Sequence, residues 1–269
     1  MRSIVYAVAV LSILGVGPCH AAERGVLLER LTWQEAERAL GPETVVVIPL
    51  GAAAKEHGPH LPLDNDLRIA EYLKRRVLDA APVVVAPTIP YHFYPAFAEY
   101  PGSTSLRFET ARDLVVDVCR SLSRFGPRRF YVLNTGVSTK RPLEAAADLL
   151  AAEGIVLRST DLVAVLGPVE REIAKQEGGT HADEVETSMM LYIAPETVDM
   201  KKAVKDFHPG PGPLTRTKGG KGTYSPSGVW GDATLATRAK GERLVEALVA
   251  GVLAEIAALR RHPVPASGR

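Results

Sequence analysis

Four runs of mostly apolar, β-branched residues, separated by amphipathic stretches, limit this chain more than any other feature. Thr44 to Leu50, Val83 to Pro87, Arg129 to Asn134 and Ile155 to Leu157 are too uniformly apolar to be strands with one wet face. They predict parallel strands buried on both sides. Between them, Leu67 to Leu78, Glu109 to Phe125 and Pro142 to Glu153 carry helical spacing, the last opening with a proline where a missing amide costs little. Strand, helix, strand in repetition predicts an α/β fold: one mostly parallel sheet with right-handed crossovers and helices on both faces. A length of 269 residues fits a single such domain. Further on, Asp183 to Ile193 reads as a helix and Gly210 to Ser227 as a long loop rich in Gly, Pro, Thr and Lys. Thr234 to Leu259 is a final helix with Asp232 or Thr234 as its cap, before a frayed tail.

The amino terminus stands apart from this pattern. Arg2, an apolar run from Ile4 to Val16, then Gly17, Pro18 and Cys19-His20-Ala21 have the layout of a secretory signal peptide over residues 1–21, leaving residues 22–269 as the mature domain. The run is shorter than the roughly 20 residues that span a bilayer, so a secreted or periplasmic protein without a membrane anchor is expected. Cleavage removes Cys19 and leaves Cys119 alone, on an apolar helical pattern that marks a buried structural thiol. With 32 basic and 31 acidic side chains there is no net field for nucleic acid, which leaves a small molecule as the expected partner.

In parallel sheets ligands bind beyond the carboxyl ends of the strands, which directs attention to the loops after Leu50, Pro87 and Asn134. The first is the densest: Glu56, His57, His60, Asp64 and Asp66 place two imidazoles and three carboxylates within eleven residues. That donor set suits divalent Zn, Mn or Fe, and a carboxylate among them can bridge two ions. Gly58, Pro59 and Pro62 prevent regular structure there, so several side chains can turn inward.

At these residues the chain resembles the creatininase family. Members carry a strand, Pro-x-Gly, then Glu-Gln-His-Gly-Pro-His-Leu-Pro-Leu and an Asp nine residues after the first His. Here Ile48-Pro49-Leu50-Gly51, His57-Gly58-Pro59-His60-Leu61-Pro62-Leu63 and Asp66 match. The similarity continues through Tyr100-Pro101-Gly102-Ser103-Thr104, His181-Ala182-Asp183-Glu184-Val185-Glu186-Thr187-Ser188 and Gly228-Val229-Trp230-Gly231-Asp232, so it spans roughly Trp33 to Leu259. It implies a creatininase-like α/β domain, assembly into homo-oligomers and hydrolysis of amide or related C–N bonds at a centre of one or two ions. Metal ligands are then expected at Glu56, His57, Asp66 and Glu184, with His181 as the catalytic acid or base. An ion lowers the pKa of bound water from about 15.7 to near 7, and His181 could pass a proton to the departing nitrogen. With Asp183 to Ile193 helical, Glu184 and Thr187 share a face and Glu186 lies on another, so Glu186 is read as structural.

Two positions depart from the family pattern. Where members have the Glu two residues before the first His, this chain has Lys55, whose charge either binds a substrate carboxylate or stands in for one cation. Where the later strand of members ends in a metal-ligating His, this chain has Gly136; His60, His92 or His208 supplies the ligand from another loop, or the centre holds one ion. Lys55, His60, His92 and Ser138 are also read as substrate contacts. Tyr91, Tyr94, Phe97 and Tyr100 either line the pocket or pack as core, and Lys218, Lys221 and Tyr224 either close over a ligand or remain solvated. A second reading, a catalytically impaired relative that binds a small molecule, follows from the missing His.

Overall fold

The computed structural model describes residues 25–264, so the expected signal peptide lies outside the described residues. Five parallel strands form the central sheet in the order β1 (Val26–Leu27), β3 (Val84–Val85), β2 (Val45–Leu50), β4 (Arg129–Asn134) and β5 (Val156–Ser159). Both central strands are buried throughout, as their apolar runs demand. Alternation then divides their side chains between two cores. Val45, Val47, Tyr131 and Leu133 pack with α2 (Asn65–Ala80), α6 (Glu184–Ile193) and α7 (Arg238–Arg261). Val46, Ile48, Leu50, Phe130 and Val132 pack with α3 (Phe108–Ser123), α4 (Lys140–Ala151) and the end of α1 (Trp33–Ala39). The expected single-domain α/β fold, with helices on both faces, is the one found. No described helix is long and apolar enough to cross a membrane.

The differences lie at element ends. Strand β3 is shorter than its apolar run because Pro87, which has no amide to donate, closes it. Helix α2 starts at Asn65, two residues before its apolar spacing, which brings Asp66 into the first turn beside the positive end of the helix dipole. Asp232 caps a short turn at Ala233–Leu235, while Thr237 caps α7 through the Lys240 amide. An additional helix, α5 (Leu162–Ile173), begins at Asp161, whose side chain accepts from the Ala164 amide. Cys119 is buried in α3 and its thiol is pushed up by that burial, so it is inert as expected.

Strand order places the site. From β2 the chain steps outward to β3, then returns to lay β4 on the other side of β2. The loops leaving β2 and β4 therefore diverge over the sheet edge and open a crevice between them.

Helices α6 and α7 cross closely at Gly241, where a methyl group would land on the Ser188 carbonyl oxygen and press on Tyr192. In an ordinary helix interior, Gly→Ala gains up to about 1 kcal/mol. At this crossing the sign reverses, and Gly241→Ala is expected to cost about 1–3 kcal/mol through overpacking. Urea unfolding measures it; a variant as stable as the parent would mean that the two helices part without penalty.

Candidate metal centre

The loop after β2 folds back so that its charged side chains point into the crevice. The Lys55 amide bonds to the Leu63 carbonyl, and the Glu56 amide donates to the Ser103 hydroxyl at 2.9 Å. Lys55, Glu56, His57 and Asp66 are all buried as a result. His57 Nδ1 lies 2.8 Å from the Lys55 carbonyl and must donate to it, the orientation typical of a metal-ligating histidine. Its Nε2 then faces Asp66 Oδ1 at 2.8 Å. A lone pair and a carboxylate oxygen sit that close only with a proton or a cation shared between them.

Asp66 joins this pair to Lys55, whose Nζ lies 2.7 Å from Oδ2. Burial alone would raise the Asp66 carboxyl, but Lys55 and His57 outweigh it and hold Asp66 well below the usual carboxylate range. The Lys55 ammonium is disfavoured by burial and favoured by Asp66, Glu186 and Glu56, which together keep it charged.

On the facing side, Trp230 pairs with His181 through backbone hydrogen bonds and holds it at the start of a tight turn. Ala182 has φ 48°, the only positive value at a non-glycine residue among those described, and this turns its amide onto Glu186 Oε2 at 2.5 Å. His181 Nε2 lies 3.1 Å from Glu56 Oε2, and its Nδ1 lies 3.5 Å from Glu186 Oε2. Burial works against the charged form of His181, yet Glu56 and Glu186 prevail and lift it above the ordinary imidazole range. The Phe97 ring packs on it, 4.1 Å between centroids.

His57, His181 and Glu186 offer donor atoms that all lie within 4.8 Å of one another. The chemistry of this set fits a divalent ion: imidazole and carboxylate donors, buried, with His57 already fixed by the Lys55 carbonyl. Beside it opens a cavity of about 260 Å³, with Lys55, His181 and Glu186 on one wall and Leu166, Met189 and Leu214 among its apolar residues.

Several expected positions are corrected. Glu184 faces away from the cluster: Oε2 accepts from the Lys175 and Gln176 amides at 2.8 Å each, and Oε1 pairs with Lys240. As the first residue of α6, its side chain leans toward the preceding segment. Glu186, read from helical phase as structural, is the acid that reaches the histidines. Glu56 is occupied by His181 and the Gly58 amide, outside the three-residue donor group. His60 donates or accepts at Thr187 Oγ1, 2.8 Å away, and His92 Nε2 donates to the Ala111 carbonyl at 3.0 Å; neither lines the cavity. His208 is turned to Asp206. None of these three replaces the ligand missing at Gly136. Ser138 does line the cavity, with its hydroxyl donated to the Phe93 carbonyl at 3.0 Å. Tyr94 and Tyr100 are core, Phe97 is wall, and Lys218 and Lys221 are exposed.

Burial pushes His92 down to about 4. Above about pH 6.5 it is neutral in both folded and unfolded chains; between about 6.5 and 4 only the unfolded chain takes up the proton. Stability should therefore fall on acidification through that window, by about 1.4 kcal/mol per pH unit from this residue. Urea unfolding at several pH values should show a shallower slope for His92→Gln; an unchanged slope would remove His92 as the cause.

Comparison with known proteins gives the family and the fold. The sequence profile of the creatininase family, described as creatinine amidohydrolase, matches residues 29–256. A mycofactocin precursor peptide peptidase of Mycolicibacterium smegmatis is 33% identical over 215 residues, 77% of this chain and 82% of that protein. A creatinine amidohydrolase of Pseudomonas putida is 28% identical over 249 residues, 85% of this chain and 95% of that protein. The solved structure described as "Creatininase Mn" superposes with a TM-score of 0.75 at 25% identity, covering 88% of this chain and 100% of that one.

Proposed function

This chain belongs to the creatininase family, and on that premise we propose that it is an exported enzyme that cleaves an amide or related C–N bond in a small molecule, with a divalent Zn or Mn ion held at His57 and Glu186, beside Asp66 and within reach of His181. The observation that carries the reading is the His57–His181–Glu186 group, two of whose members, His181 and Glu186, line a largely apolar cavity. When bound, the ion supplies the Lewis acidity that makes water nucleophilic near neutral pH.

The chain supplies the rest. Apolar walls at Leu166, Met189 and Leu214 exclude bulk water and accept the apolar part of a substrate. His181, with Glu56 against Nε2 and Glu186 against Nδ1, has its affinity for a proton raised by the two carboxylates and is placed to pass one to the departing nitrogen. Glu56 orients the ring and balances its charge, much as a buried acid does behind any catalytic histidine. Ala182, strained at positive φ, fixes Glu186 through its amide and so sets the distance between proton carrier and ligand. The apolar segment at Ile4 to Val16 supports export, and assembly into homo-oligomers is what the family resemblance implies.

The test is release of amine or ammonia from a panel of small cyclic and linear amides and short peptides by protein loaded with Mn or Zn. Turnover that chelation stops, and that His181→Ala lowers by about 10²–10⁴-fold while retaining the ion, is the expected result. A second reading, binding without turnover, is favoured by one observation: no ligand comes from Gly136 on the β4 side. Tight binding of a panel compound by the ion-loaded protein, with no product from any of them, would select it.

A further inference from the structure

We propose that the Lys55 ammonium is a built-in cation that takes the place of one metal ion, so that the centre holds a single divalent ion, on the His57 and Glu186 side of Asp66. The inference rests on the metallohydrolase reading of the same site and concerns how its positive charge is supplied.

Asp66 is fully buried and has a different partner on each oxygen: Oδ1 faces His57 Nε2 at 2.8 Å and Oδ2 faces Lys55 Nζ at 2.7 Å. That is the disposition of a carboxylate shared between two positive centres, one of them here a lysine head group. The ammonium is boxed by aromatic faces, with the Phe97 ring centroid 4.9 Å and the Tyr94 centroid 5.5 Å away. Its charge is thus met by Asp66 and the two rings, leaving it satisfied before any substrate arrives. An unpaired buried ammonium costs several kcal/mol, so this arrangement persists because Asp66 answers it.

The β4 loop offers nothing to a second ion. Gly136 lines the cavity without a donor side chain, and a Cβ there would lie 3.1 Å from Thr139 and 3.4 Å from the Tyr94 ring, so a ligand at this position needs its neighbours to shift. Thr139 donates its hydroxyl to Asn134 and Gly136, and Ser138 donates to Phe93. Charge leads to the same count. Asp66, Glu186 and Glu56 are the carboxylates acting on Lys55. Lys55 and one divalent ion match those three acids. A second ion would leave two uncompensated positive charges in a buried site, before any proton on His181 is counted.

The full mature chain is dialysed against saturating Mn²⁺ and its metal counted by elemental mass spectrometry, together with Lys55→Glu, which removes the ammonium and supplies an oxygen donor. About one ion per chain, rising to about two in the variant, is the expected result. No rise in a folded Lys55→Glu protein, or two ions in the parent, overturns the inference and leaves the metallohydrolase reading standing. No ion in the parent overturns the metallohydrolase reading, and the inference falls with it. Should Lys55→Glu fail to fold, Lys55→Gln decides. Its melting temperature should climb further with added Mn²⁺ than the parent's, as an ion fills the place of the lost charge. An equal climb in both proteins overturns the proposal.

Discussion

Asp66→Ala is expected to destabilise the protein by about 3–5 kcal/mol, the cost of breaking a buried ion pair from one side. The substitution strands the Lys55 ammonium, 4% exposed, without the carboxylate it pairs with at 2.7 Å, and it removes the partner of His57 Nε2. Guanidinium unfolding in the presence of a chelator isolates this term from any loss of ion. Replacing both partners, as in Lys55→Met with Asp66→Leu, should recover most of the loss, since a buried ion pair and an apolar pair of similar volume are often nearly equivalent. The pH dependence has a definite sign. Asp66 is held below its unfolded value, so its contribution is present throughout the range above about pH 4 and disappears only as acid reaches its depressed folded value. A loss under about 1 kcal/mol for Asp66→Ala would show that the pair is solvated in solution and not the buried contact described above.

Glu184 and Glu186 should separate cleanly by mutation. Glu186→Ala is expected to weaken ion binding by at least about 10–100-fold, because its carboxylate faces the histidines, at a folding cost of about 1–3 kcal/mol from the stranded Ala182 amide. Glu184→Ala should do the reverse. It leaves Lys240 and the amides of Lys175 and Gln176 without their acceptor, at about 3–5 kcal/mol, while the parent's ion content is kept. Equilibrium dialysis and urea unfolding on both variants give a two-by-two outcome. Loss of the ion from a folded Glu184→Ala protein would return that residue to the ligand set and contradict the geometry.

The exchange of these two acids shows where sequence reasoning reached its limit. Helical periodicity correctly placed α6, but which face of a first turn looks inward depends on how the chain enters it. That entry is set by the positive φ of Ala182, and alanine gives no warning of such a conformation. By contrast, β4 runs from Arg129 to Asn134 as its residues predict, and β2 differs from its apolar run by one residue, because burial on both faces writes itself into every position. Helix α5 carries Gly167 and Pro168 in its interior and fully buries only Leu166, so its sequence shows a weaker helical signal than the other helices. The cluster at Glu56, His57 and Asp66 was legible from density of donors and position after a strand. Whether Lys55 meets a substrate carboxylate or stands for a cation is open in the sequence, since the partner of a side chain in an irregular loop depends on distant contacts such as that of the Glu56 amide with Ser103.

The wide spacing of the site along the chain bears on how the protein reaches its native state. The Thr135 hydroxyl meets the Leu50 carbonyl across 85 residues, and His181 meets Glu56 across 125. Contacts of such separation close late, after the loop entropy between them has been overcome, and chains dominated by them fold slowly. His57 and Asp66 share one loop, but Glu186 and His181 reach them only once the sheet and α6 are in place, so the full donor set forms with the fold. The ion meets a finished receptor, so its influence falls on the rate of unfolding and hardly on the rate of folding.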